Sequence, residues 1–323
     1  MPSTRIPSTI GLVPRLFART VTAGMSESIP ESEASFVASA DERTAMLSLS
    51  LAQMEVAATT DVGMRRSQNE DFYVYHYQLE HLETPSGTSV QAKGLFVLCD
   101  GMGGHARGEI ASLEAARVFK QQIEAQWTTE LPSREALRSA VLAANQALFE
   151  LNQAAAVSGS DRMGTTLVAI LLQGTRVAII HVGDSRAYRY SRLTGLDQLT
   201  RDHEVGQLAI AQGVDPDVAY ARPEAHQLTQ ALGPRNNDWL DPEVRFLEVR
   251  EDTVFLLCSD GLSDFDLVEE VTETHVAPLL QTRTSLQYGI QQLVEIANEA
   301  GGHDNITVVA VRLRLRPQLG PVI

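Results

Sequence analysis

Five aspartates stand where apolar, strand-forming runs begin or end, and carboxylates in that arrangement suit the binding of hard divalent cations. LFVLCDG places Asp100 after one run, VAIIHVGDS places Asp184 after a second, and VFLLCSDG places Asp260 after a third. Asp71 opens a run in NEDFYVY, and Asp304 immediately precedes the last one in HDNITVV. If these ends share one rim of a folded domain, five carboxylates converge. Unpaired, they would repel and force protons onto one another, and cations between them remove the conflict. Each aspartate alone has a plainer reading, because Asp caps strands and opens turns by bonding nearby backbone N–H groups. The glycines after Asp100 and Asp260 fit either reading: DG is a common turn, and Gly101 would also let a backbone carbonyl turn towards an ion.

The elements that must position these residues are visible as patterns. Strand signals bounded by turn residues fall at 55–60, 71–78, 94–99, 166–172, 176–182, 186–190, 253–258 and 305–315. Three amphipathic helices interrupt them. One follows Gly108, with Ala111, Ala115, Val118, Phe119 and Ile123 on one face; a second starts at an N-cap, Ser133, and carries Leu137, Val141, Ala144 and Leu148; a third shows Leu286, Ile290, Leu293 and Ala297. Consecutive strands without helices between them, three within 166–190, argue for antiparallel pairing. The expected fold is a β-sandwich flanked by helices, in the α+β class, and not a βαβ repeat.

Composition bounds the function. A net charge of -15, from 41 acidic and 26 basic residues among 323, disfavours a nucleic-acid binder, which needs clustered Lys and Arg. Cys99 and Cys258 each sit inside an apolar run, where a free thiol behaves as a small buried hydrophobe, so neither a disulfide nor an oxidising compartment is expected. No apolar stretch approaches the ~20 residues that span a bilayer. The expectation is a soluble, cytoplasmic monomer with no membrane or nucleic-acid partner. Residues 1–54 read as a disordered extension or a mis-assigned start, with Met25, Met46 and Met54 as alternative starts. Arg5, Arg15 and Arg19 among Ser and Thr superficially suit a transit peptide, but a tail outside catalysis is the reading preferred.

Two rival chemistries fail on context. GMGGHA matches the G-x-G-x-x-A dinucleotide fingerprint, but Asp100 would face the pyrophosphate, Lys120, Gln121 and Gln122 stand where an acid should bind ribose, and βαβ units are lacking. Neither cysteine is followed by the Arg that would close a phosphate loop around a thiolate, and there is no P-loop sequence.

Taken together, TDVGMRRSQNED, DGMGGH, MGTT, VGDSR, SDGLSD and DNIT occur in the order that marks the metal-dependent protein phosphatases of type 2C. The chain resembles the compact bacterial members of that family over residues 55–314, with 315–323 left as a tail. The resemblance implies a four-layer α-β-β-α sandwich of two mainly antiparallel sheets with a small flap subdomain at about 201–235. It implies that Asp71, Asp100, Asp260 and the Gly101 carbonyl hold two Mn2+ or Mg2+ ions, with Asp304 completing the second ion's shell. Asp184 resembles the aspartate of a third, weaker site, and Glu70 an outer-shell residue reached through water. An oxygen-only ligand set suits these ions better than Zn2+. Arg66 matches the phosphate-binding arginine, whose planar fork can hold two phosphate oxygens.

By the same resemblance the chain is a protein serine/threonine phosphatase, in which a hydroxide bridging two metals attacks phosphorus directly, without a phosphoenzyme. The leaving alkoxide needs a proton, and the DGMGGH form offers His105 as donor where the DGH form of the family has a histidine at the position of Met102. His181, inside a strand run, reads as a satisfied core residue. Gly164, Thr165 and Thr166 read as structural, their hydroxyls bonding backbone or ligand carboxylates. Family flaps often carry Ser or Thr where this chain has Glu204, a departure that bears on substrate preference rather than on the metals. The implied partners are phosphorylated proteins and a cognate Ser/Thr kinase. The alternatives are a catalytically silent phosphatase-like domain that binds phosphoproteins, and a phosphatase of an anti-sigma pathway on the same fold.

Overall fold

A computed structural model describes residues 48–318, apart from 85–86, 104–106, 157–158 and 160–161. Eleven strands are formed by the described residues: β1 (Ser48–Asp61), β2 (Asp71–Thr84), β3 (Gly87–Met102), β4 (Gly164–Thr165), β5 (Leu167–Gln173), β6 (Arg176–Val182), β7 (Arg186–Ser191), β8 (Gly195–Gln198), β9 (Glu243–Glu248), β10 (Thr253–Cys258) and β11 (Ile306–Gln318). The helices are α1 (Arg107–Gln126), α2 (Arg134–Ala154), α3 (Val205–Ala211), α4 (Pro216–Tyr220), α5 (Asp260–Ser263), α6 (Leu267–Glu270), α7 (Ala277–Leu279) and α8 (Leu286–Glu299).

The strands pair antiparallel into two sheets, ordered β1-β11-β10-β7-β8 and β2-β3-β5-β6-β9, with β4 beside β3. Side chains that alternate along a strand point to opposite faces. In central strands such as β5, β6 and β10 both faces are buried, which is why they read as continuous apolar runs. On β3, Phe96 and Leu98 enter the core between the sheets, while Leu95, Val97 and Cys99 pack with Phe119 and Ile123 of α1 and Val141 and Leu148 of α2. On β10, Phe255 and Leu257 face the inter-sheet core, while Val254, Leu256 and Cys258 pack against Ile290 and Leu293 of α8. These contacts build the four layers helix, sheet, sheet, helix. Each fully buried Leu or Phe contributes about 1.5–3 kcal/mol.

The three long helices lie where periodicity placed them. Ser133 caps α2 by accepting from the Ala136 N–H at 3.2 Å. The strand ends differ. β1 begins at Ser48, not near 55, because β11 supplies its backbone partners from Ser48↔Gln318 to Asp61↔Ile306. For the same reason β11 continues to Gln318, past the expected boundary at 314. Of the extension expected to be disordered over 1–54, residues 48–54 thus belong to β1; residues 1–47, and 319–323 at the end of the C-terminal tail, lie outside the described residues. β8 and β9 were not among the expected strands: β8 is four residues long, and β9 is short, rich in charge and half exposed at a sheet edge.

Candidate metal centre and substrate cleft

The expected aspartates come to one rim from both sheets. Asp71 opens β2 and lies directly across from Asp100 on β3. Asp184 follows β6 in the same sheet, while Asp260 follows β10 and Asp304 precedes β11 in the other. Arg66, Glu70, Asp100, Asp184, Asp260 and Asp304 line one cavity of about 420 Å³. Asp71 is buried beside them and accepts from Ser259 Oγ at 2.7 Å.

Their charges act on one another. Burial, then Asp260, Asp71, Asp184 and Asp304, push the Asp100 carboxyl well above the ordinary carboxylate range. Burial, then Asp184, Asp264, Asp304 and Asp71, do the same to Asp260. Asp71 is raised to about 6, by burial against the opposing hydrogen bonds of Thr307 and Ser259. Asp184 is raised to about 7, by burial and then by Asp202 and Glu204. Two acceptors in this group, Asp71 Oδ1 and Asp260 Oδ1, are buried with no hydrogen-bond partner. A partnerless buried carboxylate oxygen is costly, and a divalent cation supplies what it lacks. The donor set therefore fits hard cations.

Close backbone packing holds the rim together. A Cβ on Gly101 would lie 2.1 Å from the Gly108 carbonyl oxygen, and one on Gly261 would lie 2.1 Å from that of Asn305. Glu70 joins three elements: its carbonyl accepts from Gly101 N at 3.1 Å and from Ser112 Oγ at 2.6 Å, and its carboxylate bonds the Gly108 N–H in the first turn of α1. An anion there meets the positive end of the helix dipole. Burial raises the Glu70 carboxyl, and Arg66 opposes the rise. Arg66 is half exposed and pairs with Asp304 through one guanidinium nitrogen. The Thr165 hydroxyl donates to the Asp100 carbonyl at 2.8 Å, and the Thr166 hydroxyl accepts from Asp100 N at 2.9 Å. They bond the backbone of Asp100, not its carboxylate.

Several residues at the site carried no functional signal in the sequence. Asn305 donates to the carbonyls of Val62 and Gln68, both at 2.9 Å, and accepts from Glu70 N at 2.8 Å, so it fixes the loop that presents Arg66. Its place in DNIT was the only clue. Arg186 of VGDSR forks onto Asp202 at 2.7 and 3.0 Å and so ties the flap base to β7. His226, in the flap, lines the carboxylate cavity and also an adjoining cleft of about 700 Å³. His105 lies outside the described residues.

His181 is buried, with Nε2 2.8 Å from the Arg201 carbonyl, as a satisfied core residue should be. Together with His203 and Glu243 it could bring three ligand atoms within 4.8 Å of one another. The tautomer opposes a metal there. Gly183 N–H donates to His203 Nδ1 at 3.2 Å, so the neutral ring keeps its proton on Nε2, the atom facing Glu243 at 3.6 Å. Burial holds His203 down at about 4, so the ring stays neutral.

The sequence model of the protein phosphatase 2C family matches residues 86–296. The serine/threonine protein phosphatase PstP of Mycobacterium tuberculosis is 33% identical over 258 residues, 79% of this chain and 44% of its own length. The chain thus spans less than half of that relative. Protein phosphatase PhpP of Streptococcus pneumoniae is 31% identical over 262 residues, 80% of this chain and 98% of its own length. Among solved structures, the catalytic domain of PstP in complex with two manganese ions superposes with a TM-score of 0.62 at 31% identity, covering 83% of this chain and 100% of that one.

Proposed function

The chain belongs to the protein phosphatase 2C family, and from that premise we propose that it hydrolyses phosphoserine and phosphothreonine in proteins with the help of divalent cations. The observation that carries this reading is the convergence of carboxylates from two sheets, with Asp71 Oδ1 and Asp260 Oδ1 buried and partnerless. Asp71, Asp100, Asp260, Asp304 and the Gly101 carbonyl would hold two Mn2+ or Mg2+ ions, Asp184 a third, with Glu70 reached through water. When bound, such ions acidify a water for attack on phosphorus and offset the phosphate's charge.

The chain's own residues do the rest. Arg66 uses one nitrogen on Asp304, and the remaining N–H groups of its fork can take phosphate oxygens. That bond also keeps the guanidinium beside the carboxylates until substrate arrives. The adjoining cleft, lined by Tyr220, Asp264 and Phe265, leaves room for the peptide. A cognate Ser/Thr kinase is the natural counterpart. Cys99 and Cys258 are buried and free, which supports a reducing compartment such as the cytoplasm. Among the described residues no helix is long and apolar enough to cross a membrane.

The test is phosphate release from phosphothreonine peptides by the purified chain with Mn2+. EDTA is expected to abolish release, and Asp260→Asn to lower kcat at least about 100-fold. Undiminished release in EDTA overturns the mechanism. Specific phosphopeptide binding without turnover replaces it with a silent binding domain.

A further inference from the structure

Expelling a seryl or threonyl alkoxide requires a proton donor close to the leaving oxygen. Resting on the phosphatase reading above, we propose that His226 is that donor and that Glu204 positions it. Among the described residues, His226 is the one histidine lining the carboxylate cavity, and the adjoining cleft shares His226 and Asp184 with it. Phosphate must occupy the first space and the peptide the second. The bond that breaks therefore lies at their junction, where His226 stands.

The ring is oriented for this task. Its Nδ1 lies 3.1 Å from Glu204 Oε1, and a carboxylate only accepts, so Nδ1 carries a proton and Nε2 is left to exchange one. Glu204 is only 6% exposed, and its second oxygen accepts from the Tyr220 hydroxyl at 2.8 Å. The Tyr220 ring lies 5.2 Å from the imidazole. The backbone is fixed as well: Val205 N–H donates to Gln227 O at 3.0 Å and Gly206 N–H to Ala225 O at 2.8 Å, on either side of His226. Glu204 thus couples a buried carboxylate to a histidine whose own side chain is 74% exposed and open to solvent.

The step balances. A water-derived oxygen bonds to phosphorus as the bond between phosphorus and the side-chain oxygen breaks; that bond's electron pair stays on the side-chain oxygen, which takes the proton from Nε2 of the imidazolium. The neutral ring regains a proton from solvent. Glu204 and Tyr220 touch the ring; the other charged groups lining the two spaces with it are Arg186, Asp202, Asp217, Asp264 and Asp266 in the cleft, Arg66, Glu70, Asp100, Asp260 and Asp304 in the cavity, and Asp184 in both.

The Mn2+-loaded chain is assayed on a phosphothreonine peptide and on p-nitrophenyl phosphate, whose phenolate leaves without a proton. His226→Gln is expected to lower kcat on the peptide roughly 100- to 1,000-fold and on p-nitrophenyl phosphate far less, while calorimetric Mn2+ affinity is kept. Imidazole in solution should restore part of the peptide activity to His226→Gly, and Glu204→Gln should cost about tenfold in kcat on the peptide alone. Equal losses on both substrates, or no imidazole rescue, overturn the proposal. So does the same leaving-group split in His105→Gln with none in His226→Gln. If the unaltered chain shows no Mn2+-dependent turnover of either substrate, the phosphatase reading falls first and this inference with it.

Discussion

At the scale of single residues, Asn305 illustrates how a polar side chain can matter without touching substrate. Its amide satisfies two carbonyls and one N–H of the 62–70 loop, and the same loop carries Arg66 and Glu70. Asn305→Ala leaves those groups without partners in a partly buried place, so a loss of about 2–4 kcal/mol in denaturant unfolding is expected. Mn2+ affinity should drop roughly 10- to 100-fold by calorimetry, since the support of a ligand set is lost with it. An Asn305→Ala chain with unaltered Mn2+ affinity would sink the assigned role. Asn305 escaped sequence reading because an Asn beside an Asp reads as turn chemistry, and its partners lie some 240 residues earlier.

At the scale of elements, β1 extends the domain beyond what its sequence announced. SLSLAQM has apolar alternation but no turn signal before it, and its backbone groups are satisfied only when β11 lies alongside. Leu51 and Met54 are 1% and 6% exposed within the inter-sheet core. Trimming the chain to begin at 55 removes both, at about 1.5–3 kcal/mol each. Compared with a chain trimmed to begin at 48, the shorter one should melt roughly 10 °C lower in scanning calorimetry. Equal melting temperatures would show that β1 contributes no stability before Glu55. The ends of the flap were equally hard to read, because they are held by partners outside it: Thr165 bonds Leu232, and Arg186 holds Asp202.

At the scale of the whole molecule, the site is a joint between two sheets, and its charge should couple folding to pH and to cations. Asp71 and Asp184 stand at about 6 and about 7, above the ordinary ~3.9 of an unfolded aspartate. Between these limits the folded chain binds more protons than the unfolded one, so stability declines with pH there. The contribution is fully present below about pH 4 and is lost as pH rises through 6 to 7, roughly 3 kcal/mol for Asp71 alone. In EDTA, the melting temperature is expected to fall between about pH 4.5 and 7.5, and excess Mn2+ should restore it at the upper end. A melting temperature that instead rises across that range in EDTA would contradict the raised carboxyls.

What the sequence determined by itself is local: alternating apolar runs, helical faces, and aspartates at the run ends in an order diagnostic of a family. Those follow from backbone geometry and from short motifs, which neighbours along the chain specify. Only the tertiary structure decided that Asp71, Asp100 and Asp184 come from one sheet and Asp260 and Asp304 from the other, because that depends on how two sheets stack. It also decided which histidine, among the described residues, lines the carboxylate cavity. His226 sits in a segment with no strong periodicity, and it reaches the rim because Val205 and Gly206 bond the backbone on either side of it while Leu232 and His203 tie the flap to Thr165 and Gly183.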